Sequence, residues 1–124
     1  MILRRLSNVL TVEWGNGMSR RFLLEQDGMG YTLTDTIVRA GSRSAMQYKH
    51  HLEACYCIAG RGEIIDSQGR SHVLEPGTMY ALDKHDAHYL CAHAGEDMRL
   101  ICVFLPPLKG AERHNLAGDA FSNY

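Results

Sequence analysis

The sequence predicts an all-β fold in one domain, and three observations support that prediction. Short runs of alternating or apolar residues recur, separated by turn residues about every 8–12 positions. No segment shows the sustained 3.6-residue periodicity that is typical of an amphipathic helix. The chain has 124 residues, of which 45% are hydrophobic, and this suits a single domain with its own core. A small sandwich or barrel over residues 1–124 is therefore expected.

Composition excludes several classes of partner and location. A net charge of −1 gives no electrostatic basis for binding nucleic acid or an anionic membrane. No apolar run approaches the ~20 residues of a membrane span, and the N-terminus lacks the apolar core of a signal peptide. The four cysteines do not follow zinc-finger spacing. Reduced, buried thiols in a cytoplasmic protein are the better interpretation.

The first half of the chain contains three predicted strands before its central stretch. Residues 1–6 are apolar and basic, which favours an edge strand. Residues 19–24 form the next apolar run and end at Asp27-Gly28. Residues 31–40 alternate and contain three threonines and Val38, residue types that favour a pleated, half-buried surface.

The second half continues in short strands separated by turns. The predicted strands, in order, are residues 46–58, 63–66, 72–74, 78–82, 88–92 and 98–105. Pro106-Pro107 ends the last of them, because proline cannot donate a ladder hydrogen bond. Residues 109–124 are polar and contain glycine, which predicts a loop or a mobile tail.

Glu53 is the residue around which the candidate site is organised. Strand alternation places Glu53, Cys55 and Cys57 on one face of the central strand. A carboxylate beside two poorly solvated thiols is costly to bury unless a cation or a metal compensates its charge. Glu53 therefore needs a partner elsewhere in the chain.

Two spacings resemble the halves of the cupin motif, which belongs to a small jelly-roll barrel with a central metal. Glu53 is followed by six residues and Gly60, and His88 lies eleven residues after Gly77. The two histidines that usually precede the glutamate are absent, since their places fall in residues 46–49. The ligand set is thus incomplete without another residue.

Tyr80 is the best candidate to complete the metal site. It lies three residues after Gly77, and one loop separates it from His88. Glutamate, phenolate and imidazole suit iron(II) first, with zinc or manganese as alternatives. Three protein ligands leave coordination positions open, which is the catalytic pattern. Near the end of the chain, Glu112 and His114 form a Glu-x-His pair able to act as acid and base.

Longer motifs carry a more specific resemblance. Residues 48–58 (YKHHLEACYCI), 76–88 (PGTMYALDKHDAH) and 102–108 (CVFLPPL) are similar to the signatures of the ectoine synthase family of bacterial cupins. The resemblance extends from about Ser19 to His114, which is most of the chain.

The resemblance implies a specific activity. The family closes N-γ-acetyl-L-2,4-diaminobutyrate into ectoine, a compatible solute made under osmotic stress, with loss of water; it is a hydro-lyase reaction. The implied iron ligands are Glu53, Tyr80 and His88. Further implied residues are Tyr48, His51, Glu112 and His114 in catalytic roles and Trp14, Arg21, Thr36, Cys102 and Phe104 in substrate binding.

Two alternative functions remain open from sequence. One is a divergent metal cupin of this kind that acts on another small amide or amino acid. The other is a cupin that binds a solute without catalysis. A homodimer is expected, because residues 1–6 have no obvious strand partner within the chain. Residues 109–124 are expected to form a lid that orders over the barrel mouth when substrate binds.

Overall fold

The computed structural model describes residues 1–116 and the backbone of residues 122–123. Short strands dominate the described residues, as the alternating runs predict, and the only helices among them are two 3-10 turns, Leu6–Asn8 and Glu25–Asp27. The strands are β1 (Leu10–Glu13), β2 (Gly17–Leu23), β3 (Thr32–Val38), β4 (Arg43–Gln47), β5 (Leu52–Ala59), β6 (Gly62–Ile65), β7 (Ser71–Leu74), β8 (Met79–Leu82), β9 (His88–Ala92), β10 (Met98–Leu105) and β11 (Ser122–Asn123).

The strands form two sheets whose inner faces share one core. The larger sheet has the order β1-β2-β3-β10-β5-β8, and the smaller has the order β11-β4-β9-β6-β7. Every described pairing is antiparallel except that of β11 with β4. Val38 and Leu100 from the larger sheet pack with Ile64 and Leu90 from the smaller one. The all-β prediction is confirmed.

Most predicted strands are present, and the differences have physical causes. β9 and β10 have the predicted limits. The predicted strand 46–58 is two strands, because the chain crosses from the smaller sheet to the larger one between Gln47 and Leu52. The predicted edge strand at residues 1–6 is not formed in the single chain: residues 1–5 have no strand partner in the part of the chain that the structure describes, and Leu6 begins a 3-10 turn. β1 was not predicted from sequence.

The register of the larger sheet aligns one row of inward-facing residues across five strands. Arg21 lies opposite Thr34, Thr34 opposite Cys102, Cys102 opposite Cys55, and Cys55 opposite Tyr80. Facing side chains on adjacent strands lie within contact distance. The row therefore brings together residues that lie as far apart in the sequence as Arg21 and Cys102.

The opposite, outward side of this sheet is apolar over β5, β8 and β10. Five side chains that neighbour one another across these strands form what we call the outer patch: Leu52, Tyr56, Met79, Val103 and Leu105. All five are exposed, and Met79 reaches 57%. Contiguous exposed apolar surface is typical of an interaction site. Among the described residues, no helix has the length and apolar character needed to cross a membrane.

Candidate active site

A small cavity, which we call the chamber, lies between the two sheets at one end of the row of inward-facing residues described above. Its volume is about 30 Å³, enough for roughly two water molecules. Both sheets and the segment after β10 contribute to its wall. The predicted site residues that line it are Trp14, Thr36, Tyr48, Glu53, Tyr80, Cys102, Phe104 and His114.

Glu53 is buried in this wall among thiols. It is 6% exposed, and its carboxylate, the Cys55 Sγ and the Cys102 Sγ all lie within 4.8 Å of one another. The two sulfur atoms are 2.9 Å apart, and the described cysteines are all free thiols. Burial raises the pKa of Glu53 to about 8, and a hydrogen bond with Cys55 opposes this only in part. These three residues could hold a metal ion. Cys55 was not predicted to belong to the site, although its shared strand face with Glu53 was a signal.

Tyr80 lies beside the thiols on the edge strand β8. Burial raises the pKa of its phenol well above the usual value, and the neighbouring acidic groups Cys55, Glu53 and Cys102 raise it further. Without a cation the phenol stays protonated at neutral pH. A metal ion next to Glu53 and Tyr80 would instead lower the pKa of both groups, because its positive charge favours their ionised forms.

His88 approaches from the smaller sheet, and its ring centroid lies 6.5 Å from that of Tyr80. The ring is 1% exposed. Its Nδ1 lies 2.9 Å from the Asp86 carbonyl oxygen, which requires Nδ1 to carry the proton. Its Nε2 is buried without a hydrogen-bond partner in the described part of the chain. Burial also lowers the pKa of His88. A neutral imidazole fixed by a backbone carbonyl, with its other nitrogen unused, has the form of a metal ligand.

Trp14 reaches the chamber through a tight turn. Its backbone N–H donates to Gly17 O at 3.1 Å, and its side chain is 6% exposed. A Cβ at Gly17 would lie 2.0 Å from Ile37 O and 2.6 Å from the Trp14 ring. Only glycine therefore allows the indole to lie against β2 and β3 at this point.

Aromatic rings form the wall on the side of the last segment. The Tyr48 ring meets Phe104 edge-on at 5.1 Å between centroids and meets His114 at 4.9 Å. His114 is 5% exposed. The segment after β10 thus inserts an imidazole into the chamber and closes it on this side.

Arg21 and Glu112 lie outside the chamber wall and hold that segment in place. The Arg21 guanidinium, in a residue that is 3% exposed, donates to Gly110 O at 2.5 Å and also to Glu112 O. The Glu112 carboxylate accepts backbone N–H bonds from Lys109 at 2.8 Å and Gly110 at 2.7 Å. Partial burial opposes ionisation of Glu112, but these bonds and the charge of Arg21 hold its pKa below the usual value.

His51 also lies outside the chamber wall. Its Nδ1 is 2.7 Å from Pro106 O, so the ring contacts the point where β10 ends. It also meets Phe104 edge-on, with 6.2 Å between ring centroids. In this geometry His51 supports the segment that carries His114.

The family model described as ectoine synthase matches residues 1–123 of the chain. The chain belongs to the ectoine synthase family. An L-ectoine synthase from Desulfatibacillum aliphaticivorans is 49% identical over 125 aligned positions that cover 95% of each chain. The crystal structure of ectoine synthase from P. lautus superposes with a TM-score of 0.83 at 45% identity, covering 89% of this chain and 81% of that one.

The cupin fold expected from the motif spacing is confirmed by a more distant structure. A cupin 2 conserved barrel domain protein from Salinispora arenicola matches with a TM-score of 0.69 at 18% identity, over 85% of this chain and 88% of that one. At that identity the match shows the fold alone.

The raised pKa of Glu53 has a measurable consequence for the metal-free protein. The folded carboxyl keeps its proton up to about pH 8, whereas the unfolded one loses it near 4.5. The protonated carboxyl therefore contributes to the free energy of unfolding at low pH, and this contribution is lost as the pH rises from the unfolded pKa to the folded pKa. The loss from pH 5 to pH 8 is on the order of 4 kcal/mol. His88 has the opposite effect at low pH: because burial lowers its pKa, its protonation in acid favours the unfolded state.

Comparison with Glu53→Gln isolates the contribution of the carboxyl. After chelation, urea unfolding at pH 5, 6.5 and 8 is expected to show the wild type losing stability relative to Glu53→Gln as the pH rises. Parallel pH profiles for the two proteins would contradict this prediction.

Proposed function

We propose that this protein is an ectoine synthase that closes N-γ-acetyl-L-2,4-diaminobutyrate into ectoine with loss of water. The match of the family model to residues 1–123 is the observation that carries the proposal. The free amine forms a bond to the carbon of the acetamide carbonyl, and the carbonyl oxygen leaves as water. The amine first gives up a proton, and the departing oxygen takes up protons, so the reaction needs a group that transfers them.

We propose Glu53, Tyr80 and His88 as the ligands of an iron(II) ion. Two observations support this set: the Nε2 of His88 has no hydrogen-bond partner among the described residues, and the buried carboxyl of Glu53 has a hydrogen bond with the Cys55 thiol. When bound, such an ion supplies Lewis-acid polarisation of an amide carbonyl, which is otherwise a poor electrophile. Zinc and manganese are the alternatives compatible with the same donors.

His114 is the residue we assign to proton transfer. It lines the chamber, whereas the Glu112 carboxylate is turned toward the amides of Lys109 and Gly110. Glu112 instead orders the turn that presents His114. Tyr48 contacts the His114 ring and supports its orientation.

Substrate binding is assigned to the remaining chamber residues. Trp14, Thr36, Cys102 and Phe104 offer one hydroxyl, one thiol and two aromatic surfaces to a small zwitterion. They would hold its amine and its carbonyl in contact, and such preorganisation can lower a barrier by roughly 7–11 kcal/mol. The chamber of about 30 Å³ is smaller than this substrate, so we propose that its wall opens when the substrate enters and that the segment carrying His114, which belongs to neither sheet, is the part that moves.

The direct test is ring closure by the purified protein. Iron-loaded protein is incubated with N-γ-acetyl-L-2,4-diaminobutyrate without oxygen, and ectoine is measured by chromatography. Glu53→Gln serves as the matched control, since it keeps the shape of the side chain. If iron-bound wild type forms no ectoine above that control, the proposed activity is wrong. We place the enzyme in the cytoplasm, where a reducing environment preserves its free thiols.

A homodimer is the assembly that we propose. The outer patch leaves apolar surface exposed, and β8 is an edge of its sheet with no outer neighbour among the described strands. Residues 1–5 pair with none of the described strands, and Met1 and Leu3 are 120% and 84% exposed. A second copy would cover both features, because an extended segment can pair with an open edge strand.

Light scattering is expected to give a dimer for the wild type at micromolar concentration. Val103→Glu places a charge in the outer patch and is expected to raise the dissociation constant by at least ~10-fold. Val73→Glu is the matched control, since Val73 is 63% exposed on the smaller sheet. A monomeric wild type, or equal effects of the two substitutions, would refute this interface.

A further inference from the structure

His85 connects two loops that the site depends on. It lies between β8 and β9, and its backbone has a φ of 53°, the one positive value outside glycine in the described residues. Its Nδ1 is 2.8 Å from Tyr48 O and 3.1 Å from His51 O. Both of these atoms are acceptors, so Nδ1 carries a proton and donates to both. Gln47 Nε2 donates back to His85 O at 3.0 Å.

The two connected loops carry much of the site. The loop between β4 and β5 contains Tyr48 and His51 and leads directly into Glu53. The loop between β8 and β9 separates Tyr80 from His88. His85 therefore connects the loop before Glu53, one proposed metal ligand, to the loop between Tyr80 and His88, the other two proposed ligands.

Packing does not explain this histidine. Its residue is exposed, and its described contacts are the hydrogen bonds above. A left-handed backbone is unfavourable for residues other than glycine, with asparagine the best tolerated of the rest. Glycine would satisfy the backbone at this position but would provide no donor to the two carbonyl groups.

We propose that His85 is a positioning residue for the reaction: its Nδ1–H holds the loop that places Tyr48 in the chamber wall and His51 against Pro106. The effect on turnover rests on the proposed function, whereas the effect on the loop does not. The geometry also assigns the essential part of the side chain, which is one N–H donor at the Nδ1 position. An asparagine amide can supply a donor at a similar reach and tolerates the same backbone conformation.

Two variants and one control test the proposal. His85→Gly keeps the backbone conformation and removes the donor, and His85→Asn restores a donor. His93→Ala is the control, because His93 is an exposed histidine that follows β9 and whose backbone bonds go to Gly41 and Arg61. Hydrogen exchange of the peptide spanning residues 48–53 is measured by mass spectrometry, alongside kcat and KM of the iron-loaded enzymes.

His85→Gly is expected to speed exchange in this peptide by ~10-fold or more and to lower kcat/KM by about 10- to 100-fold. His85→Asn and His93→Ala are expected to stay within ~3-fold of wild type in both measurements. Rescue by asparagine is the outcome that a purely steric role would not give.

Unchanged exchange and unchanged kcat/KM in His85→Gly would overturn the proposal, and so would a failure of His85→Asn to restore either one. If the wild type forms no ectoine, the proposed function fails, and the exchange measurement alone still decides the role of His85.

Discussion

Replacing Glu53 with alanine is expected to remove bound iron and to lower kcat/KM by at least ~10³-fold. The carboxylate is one of the two anionic ligands of the proposed set, with the Tyr80 phenolate as the other, and alanine supplies no ligand atom in its place. Iron is measured by elemental analysis and the fold by circular dichroism. Glu75→Ala is the matched control, because Glu75 is exposed and pairs with Arg61.

Two further variants decide between donor sets. Tyr80→Phe removes one oxygen and preserves the ring, so it is expected to lose iron if the phenol is a ligand. Cys55→Ala is expected to retain iron, although Cys55 lies with Glu53 and Cys102 in a group that could hold a metal. Full occupancy in Tyr80→Phe together with loss in Cys55→Ala would replace Tyr80 with the thiols as ligands.

Truncation after Leu108 is expected to leave iron binding intact and to lower kcat/KM by about 10²- to 10³-fold. It removes His114 from the chamber wall and the two carbonyl groups that Arg21 holds, but it touches none of the three proposed ligands. The chamber would then open to solvent on that side, and the proton-transfer group would be lost.

A shorter truncation after Leu116 is the control for the lid. It keeps the docked residues 109–116 and is expected to stay within ~10-fold of the full chain. The predicted lid spans residues 109–124, and residues 117–121 and 124 lie outside the described residues. Full turnover by the protein ending at Leu108 would show that neither the lid nor His114 is needed.

Local sequence pattern predicted the strands well where an apolar run lies between turn residues. β9 and β10 were predicted with their actual limits because each is a short, nearly continuous apolar run with turn residues on both sides. The break between β4 and β5 was missed, since Tyr-Lys-His-His contains neither glycine nor proline. The N-terminal strand was wrong for the single chain because apolar character alone does not supply a pairing partner.

The candidate site was predictable in its spacing but not in its packing. Glu53 and His88 follow a motif, and Tyr80 follows from its distance to Gly77. The placement of Cys55 opposite Tyr80 depends on strand register, which a sequence does not show. Arg21 contacts Gly110 and Glu112, which lie 89 and 91 positions further along the sequence. These contacts depend on how the last segment folds back, and no local sequence pattern predicts them.

The proposed closure of the outer patch by a second copy would make the behaviour of this protein depend on its concentration. If that surface is closed by a second copy, folding and association share one equilibrium, and each tenfold dilution lowers the free energy that keeps the pair folded by about 1.4 kcal/mol. Activity per molecule would then decline in very dilute assays. In a cell, the folded dimer would become more stable as synthesis raises the protein concentration and less stable as that concentration falls.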